Sequence, residues 1–99
     1  MILYNITVNV AKEIEPDWLT WMREVHIPQI MDLGFFSNSK IFRLMKDEPD
    51  GMTYSCQFFA EKIADVMVFQ SQHAQSMQNE VTSRYGDQVI DFRTVLEQV

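Results

Sequence analysis

The chain has 99 residues, a net charge of −6 and a hydrophobic content of 46%, which is typical of one globular domain over residues 1–99. Its eight Lys and Arg residues are scattered and outnumbered by fourteen Asp and Glu residues, which argues against nucleic acid or an anionic membrane as a main partner. No apolar run reaches membrane-spanning length and no signal peptide precedes the first strand, so we expect a cytoplasmic protein.

The first strand and the start of the first helix are clearly marked. Residues 2–10 alternate apolar and polar side chains, which is typical of a β-strand with one buried face. The Glu-Pro-Asp-Trp stretch at residues 15–18 favours a helix start, because proline suits the first turn and acidic groups suit the helix dipole there. The apolar face predicted for this helix consists of Trp18, Trp21, Met22 and Val25.

Pro28 lies inside this first helix. A proline removes one N–H and presses on the carbonyl four residues earlier, here that of Glu24. We therefore predict a helix from about Pro16 to His26, then a kink, then a short helical piece that reaches Leu33. The kink would place His26 at the partly negative end of the first piece, which favours a protonated imidazole.

The remaining elements complete a familiar order. Strands are predicted over about 36–45, 52–60 and 88–96, with a turn over 46–51 that is rich in Pro, Asp and Gly. One long helix is predicted from about Ile63 to Tyr85 and is ended by Gly86. The order β-α-β-β-α-β predicts an α+β, ferredoxin-like fold, with a four-stranded antiparallel sheet and both helices on one face.

The sheet face that the helices leave open carries few charges. By alternation it holds mostly small neutral polar side chains, a composition that favours contact with a second copy of the chain. We therefore predict a homodimer; the alternative is a solvated sheet face. The predicted dimer face consists of Asn5, Thr7, Asn9, Arg43, Ser55, Gln57, Asp91 and Arg93.

A kink at Pro28 would open a cavity between the first helix and the sheet. Such a cavity suits a small hydrophobic or aromatic ligand, with His26 at its mouth as the candidate catalytic general base or as a hydrogen-bond donor. The residues predicted to contact this ligand are Tyr4, Trp18, Trp21, Met22, Met67, Phe69 and His73. The alternative is structural, with both tryptophans in the core and His26 at a helix end.

Other chemistry has little support in the sequence. His26 and His73 could approach each other beside Glu24 or Glu80, but no metal-ligand spacing occurs, so we predict no metal site and no cofactor. The single cysteine, Cys56, excludes an internal disulfide and is predicted to be an inert core thiol. Motifs for phosphate binding or for a serine nucleophile do not occur.

Several segments carry a resemblance that covers nearly the whole chain. They are YNITVNV, WLTWMREVHIPQIMDLGFF, YSCQFFA, QHAQSMQ and DFRTVLE. Together they resemble a family of short bacterial proteins, a domain of unknown function. More remotely, the chain is similar to the dimeric α/β-barrel superfamily, in which two ferredoxin-like units pack sheet against sheet. That superfamily includes cofactor-free monooxygenases, polyketide cyclases and non-catalytic members, with sites between helices and sheet.

Two functions follow as hypotheses. The first is a homodimer that holds a small apolar or aromatic ligand between helices and sheet, with chemistry like that of a cofactor-free oxygenase or cyclase. The second is a non-enzymatic dimer with a filled core, which serves as an interaction or regulatory module. The sequence does not decide whether the protein is an enzyme.

Overall fold

The computed structural model describes residues 1–46 and 48–99. The predicted bounds of the first and third strands are confirmed, the last strand is shifted by one residue, and the second strand is shorter than predicted. The predicted turn over 46–51 includes Asp47, which lies outside the described residues. The elements in chain order are β1 (Ile2–Val10), α1 (Glu15–Trp21), a π-helical turn (Met22–His26), α2 (Ile27–Asp32), β2 (Asn38–Arg43), β3 (Met52–Ala60), α3 (Ile63–Gln72), α4 (Ala74–Tyr85), a 3₁₀ turn (Gly86–Gln88) and β4 (Val89–Glu97).

The four strands form one sheet in the order β2-β3-β1-β4, with every neighbouring pair antiparallel. β3 lies between β1 and β2, and β1 lies between β3 and β4, so each β-α-β unit is split by a strand of the other. This arrangement confirms the predicted ferredoxin-like α+β fold.

The first helix accommodates Pro28 through a wider turn of backbone just before it. The N–H of Ile27 bonds to the carbonyl of Met22, five residues earlier, which is the spacing of a π-helical turn. This turn ends just before α2, where Pro28 lies within the first two positions and needs no intrahelical N–H bond. The predicted break between two helical pieces is therefore a π turn, and the backbone keeps helical angles through His26 and Ile27.

The π turn also changes which side chains of this helix are buried. Trp18, Met22, His26 and Ile30 are buried. Val25, which we expected on the apolar face, is 41% exposed, so that assignment is wrong. The wider turn after Met22 carries His26 toward the sheet in place of Val25.

The predicted long helix is two helices. His73, with φ −130° and ψ −28°, ends α3 and begins α4. Of the twelve residues of α4, Val81 and Tyr85 are buried. The spacing of apolar residues did not reveal the break, because His73 has a polar side chain that suits a helix surface or a helix end equally well.

An aromatic core lies between the helices and the sheet. The ring of Tyr4 on β1 lies 5.5 Å from that of Phe69 on α3, and Trp18 on α1 lies 4.8 Å from Tyr54 on β3. These side chains are at most 2% exposed. The helices therefore cover one face of the sheet, as predicted.

The strand register reverses the predicted faces of β2 and β4. Asp91 pairs with Val8 and Arg43 pairs with Tyr54, and paired residues point to the same face. Because Val8 and Tyr54 are buried beneath the helices, Asp91 and Arg43 also point to the helix side. Arg93, two residues after Asp91, does the same. Our placement of these three residues on the open face was wrong, because a shift of one residue in register moves every side chain of a strand to the other face.

Candidate functional site

A cavity lies where the helices meet the sheet. Its volume is about 30 Å³, enough for about one or two water molecules. Its wall is mostly apolar, and polar side chains enter it from three directions: His26 from the π turn, Gln78 from α4, and the pair Asp91 and Arg93 from β4.

His26 is the buried polar group on the helix wall. It is 4% exposed, and its Nδ1 atom has no hydrogen-bond partner within residues 1–46 and 48–99. The ring of Trp21 stacks on the imidazole with centroids 4.6 Å apart and planes 22° apart. The π turn makes this contact possible, because it brings residues five apart onto neighbouring positions.

Burial also sets the charge of His26. It lowers the pKa of the imidazole from 6.5 to about 4, because an apolar surrounding disfavours the charged form. His26 is therefore neutral at neutral pH. We expected a helix end to favour the protonated form; that expectation was wrong, since the helix continues past His26 and burial disfavours the charged imidazole.

Asp91 and Arg93 form the charged part of the sheet wall. The Arg93 Nη1 donates to Asp91 Oδ1 at 3.0 Å, and Arg93 Nη2 donates to Gln78 Oε1 on α4. The Asp91 side chain is 12% exposed and that of Arg93 is 28% exposed. The pair is thus partly withdrawn from water, which strengthens the interaction relative to a surface pair.

Two further polar groups are held in their neutral forms. Burial, with a smaller contribution from the Asp91 carboxylate, raises the pKa of the Cys56 thiol to about 12. Burial also raises the pKa of the Tyr4 phenol, and the Arg93 guanidinium partly offsets this effect. Neither group supplies a charge to the cavity at neutral pH.

The residues predicted to contact a ligand divide into two groups. Tyr4, Trp18, Met22 and Phe69 lie in the cavity wall. Met67 does not, because it is 61% exposed on the outer side of α3. His73 packs at the helix break, 5.4 Å from the ring of Phe35. Trp21 stands behind His26 and borders an outer groove beside α4.

The residues predicted for the open face also divide. Asn5, Thr7, Asn9, Ser55 and Gln57 lie there, since they alternate with the buried residues of β1 and β3. Several are hydrogen-bonded to one another: between β3 and β1, Ser55 Oγ donates to Asn5 Oδ1 at 2.6 Å, and along β1, Asn5 Nδ2 donates to Thr7 Oγ1 at 3.1 Å.

Arg43, the third misplaced residue, makes its contacts on the helix side of the sheet. Its Nε donates to the Tyr54 hydroxyl at 3.0 Å, and its guanidinium lies 4.0 Å from the Glu15 carboxylate. Arg43 therefore ties the edge strand β2 to β3 and to the start of α1.

Sequence reasoning missed Gln78, Asp91 and Arg93 as cavity residues. The middle of β4 favoured the opposite orientation, because the apolar Ile90 and Phe92 alternate there with the charged Asp91 and Arg93. Asp91 and Arg93, which are two residues apart on β4, share a face and pair with each other. A signal for Gln78 was absent from the sequence.

The described residues also limit other kinds of site. Within residues 1–46 and 48–99, no group of three or more His, Cys, Asp or Glu side chains is arranged to hold a metal ion. Over the same residues, every helix is too short or too polar to cross a membrane.

The four-stranded sheet, with its helices on one face, places this protein among small α+β domains of the ferredoxin-like fold. The chain belongs to the family described as Domain of unknown function (DUF4286), whose model matches residues 1–99. This membership confirms the resemblance inferred from the sequence. None of the curated proteins compared with the chain matches it.

Solved structures with the same fold have little sequence in common with the chain. An EthD-family (ethyl tert-butyl ether degradation) protein from Bacillus halodurans has a TM-score of 0.69 at 10% identity, with full coverage of both chains. HapK from Hahella chejuensis has a TM-score of 0.70 at 13% identity, covering 100% of this chain and 93% of HapK. Hydroxynitrile lyase from Passiflora edulis has a TM-score of 0.60 at 15% identity, covering 99% and 95%. These likenesses show the fold.

Proposed function

We propose that this protein is a cytoplasmic homodimer that binds a small ligand with an apolar or aromatic body in the cavity between helices and sheet. The observation that carries the proposal is one apolar cavity that joins the unpaired Nδ1 of His26 to the Asp91–Arg93 pair. Buried polar groups usually have hydrogen-bond partners, and an exception within a cavity is a candidate ligand contact.

The cavity must widen to admit a ring-sized ligand. A cavity that holds benzene is about 150 Å³, several times the volume of about 30 Å³ found here. The α4 wall is the side that can yield, because Met77 lines the cavity and a methionine side chain readily changes conformation. α4 also buries few residues and is joined to α3 through the irregular backbone at His73.

The proposed dimer uses the open face of the sheet. Phe42, Ile90 and Phe92 are exposed there by 52%, 67% and 60%. These side chains lie on the two edge strands, on either side of the hydrogen-bonded polar groups of β1 and β3. Exposed apolar patches of this kind mark interaction sites, and packing two such sheets face to face would bury both edges.

The chemistry we propose at the site requires no cofactor. One structural neighbour is named as a hydroxynitrile lyase, although a shared fold does not fix a function. At a pKa of about 4, His26 is a weak base. It is therefore better suited to orienting a ligand by hydrogen bonding than to removing a proton, so binding is the first function to test and oxygenase-like or cyclase-like turnover the second.

The burial of Trp18 favours a second candidate function. Trp18 is 1% exposed, and the cavity beside it has room for only about one or two water molecules. A non-enzymatic dimer with a filled core, acting as an interaction or regulatory module, would have these properties.

Native mass spectrometry of protein purified from its own host separates the two candidates. We expect a dimer that carries a discrete added mass, which is lost on denaturation. Ala74→Leu should abolish the added mass because Ala74 lines the cavity, whereas the matched variant Ala64→Leu on the exposed side of α3 should retain it. A dimer without added mass would favour the interaction module, and a monomer would contradict the dimer.

A further inference from the structure

We propose that the ligand of this cavity is electrically neutral and binds through a hydroxyl group, with its apolar body among the aromatic side chains. This inference rests on the proposed function and adds the chemical class of the ligand. The charges of the cavity wall and the unpaired atom of His26 carry it.

The formal charges that line the cavity cancel. Arg93 and Asp91 are hydrogen-bonded to each other at 3.0 Å, and Gln78, which accepts from Arg93, is neutral. Among residues 1–46 and 48–99, no other Asp, Glu, Lys or Arg side chain lines the cavity. The sheet wall therefore presents a pair whose net charge is zero.

The other titratable groups of the wall add no charge. His26 on the helix wall is neutral above a pH of about 4, and Cys56 and Tyr4 on the sheet are protonated at neutral pH because burial raises their pKa values. A charged ligand in this surrounding would lose its hydration without gaining an opposite charge, unless it separated Asp91 from Arg93. Either event is unfavourable in a mostly apolar cavity.

The hydroxyl follows from the hydrogen-bonding need of His26. In a neutral imidazole, Nδ1 is a donor or an acceptor according to which nitrogen carries the proton. A hydroxyl group can both donate and accept, so it pairs with Nδ1 in either tautomer. A carbonyl, which only accepts, would pair with Nδ1 in one tautomer, and an ammonium group, which only donates, would pair with it in the other.

Three probes of similar size test this inference by isothermal titration calorimetry at neutral pH. Benzyl alcohol is neutral, benzoate is an anion and benzylammonium is a cation, and each has one ring and one polar group. The wild-type protein should bind benzyl alcohol at least about tenfold more tightly than either ion, which corresponds to about 1.4 kcal/mol.

Two charge variants should redirect this preference. Asp91→Asn leaves the Arg93 cation without its partner, so the variant should gain affinity for benzoate by about tenfold or more. Arg93→Gln leaves the Asp91 carboxylate and should favour benzylammonium instead. The double variant Asp91→Asn/Arg93→Gln has no charge to bury and should keep the preference for benzyl alcohol, which maintains the test if a single variant does not fold.

The outcomes separate this inference from the proposed function. If the wild-type protein binds benzoate or benzylammonium as tightly as benzyl alcohol, the neutral class is overturned while the small-molecule site stands. If the wild-type protein binds none of the three probes, the proposed function fails and this inference fails with it.

Discussion

Because His26 is neutral in the folded protein, the free energy of unfolding should depend on pH, and the contribution of His26 can be separated from that of other groups. The pKa of the imidazole is about 4 in the folded protein, against 6.5 for the ordinary group. Between these values the unfolded chain binds a proton at His26 and the folded protein does not. The free energy of unfolding is therefore highest above pH 6.5 and falls as the pH is lowered toward 4.

The magnitude follows from the difference in pKa. One unit of difference corresponds to about 1.4 kcal/mol, so the full contribution is about 3 kcal/mol. About 2 kcal/mol of it should be lost between about pH 7.5 and about pH 5. For a domain of this size, such a loss corresponds to a fall in Tm of roughly 8–16 °C.

Urea unfolding of matched variants is the assay. The pH can also change the stability in ways that do not involve His26, so the quantity that matters is the difference between wild type and His26→Leu at the two pH values. The wild-type protein should lose about 2 kcal/mol more than His26→Leu. His73→Gln is the control and should retain the wild-type dependence, because His26 is still present. Equal pH dependence in wild type and His26→Leu would refute the buried neutral imidazole.

Three further predictions concern the helix, the cavity and the dimer. Pro28→Ala should change the free energy of unfolding by less than about 1 kcal/mol, because the π turn already accommodates the proline. If the turn reverts to α-helix in this variant, the NMR signals of the His26 ring should shift, because the ring of Trp21 no longer stacks on it. Unfolding of the variant would contradict this account. Met77→Ala should destabilise the protein by about 2 kcal/mol and should bind benzyl alcohol more tightly than the wild type does. Met67→Ala, at an exposed position, should change neither urea unfolding nor calorimetric binding. Equal affinities of Met77→Ala and wild type for benzyl alcohol would show that Met77 does not limit the size of the cavity. Phe92→Glu should yield monomers by light scattering while the fully exposed control Met45→Glu remains dimeric, and a dimer in both would place the interface elsewhere.

The sequence predicted the fold because its strongest patterns are local. The alternation along β1 and β3 is regular, and the bounds of both strands are as predicted. The order of elements and the right-handed connections then left few topologies to consider.

The sequence did not predict the part of the site that lies on β4. Its apolar side chains Ile90 and Phe92 face outward, while Asp91 and Arg93 face the helices. Hydrophobic alternation alone assigns the buried face to the apolar set, so it places this strand the wrong way round. Such a conflict between local pattern and fold is expected where function or assembly imposes its own requirement.

The helices show the same limit in another form. Pro28 predicted an irregularity at the correct place, but a kink and a π turn have the same sequence signal and opposite consequences for His26. The π turn buries His26 and Met22 on one side and leaves Val25 exposed. The proximity of Gln78 to Arg93 depends on the separate path of α4 after His73, which no periodicity indicates.

The most direct test of the central claim is an NMR titration of ¹³C-methyl methionine protein with benzyl alcohol. Met22 and Met77 line the cavity, whereas Met45 and Met67 are exposed. We predict saturable shifts of the Met22 and Met77 methyl signals, with those of Met45 and Met67 unchanged. Shifts that do not saturate, or that are equal at all four methyl groups, would contradict a ligand site between the helices and the sheet.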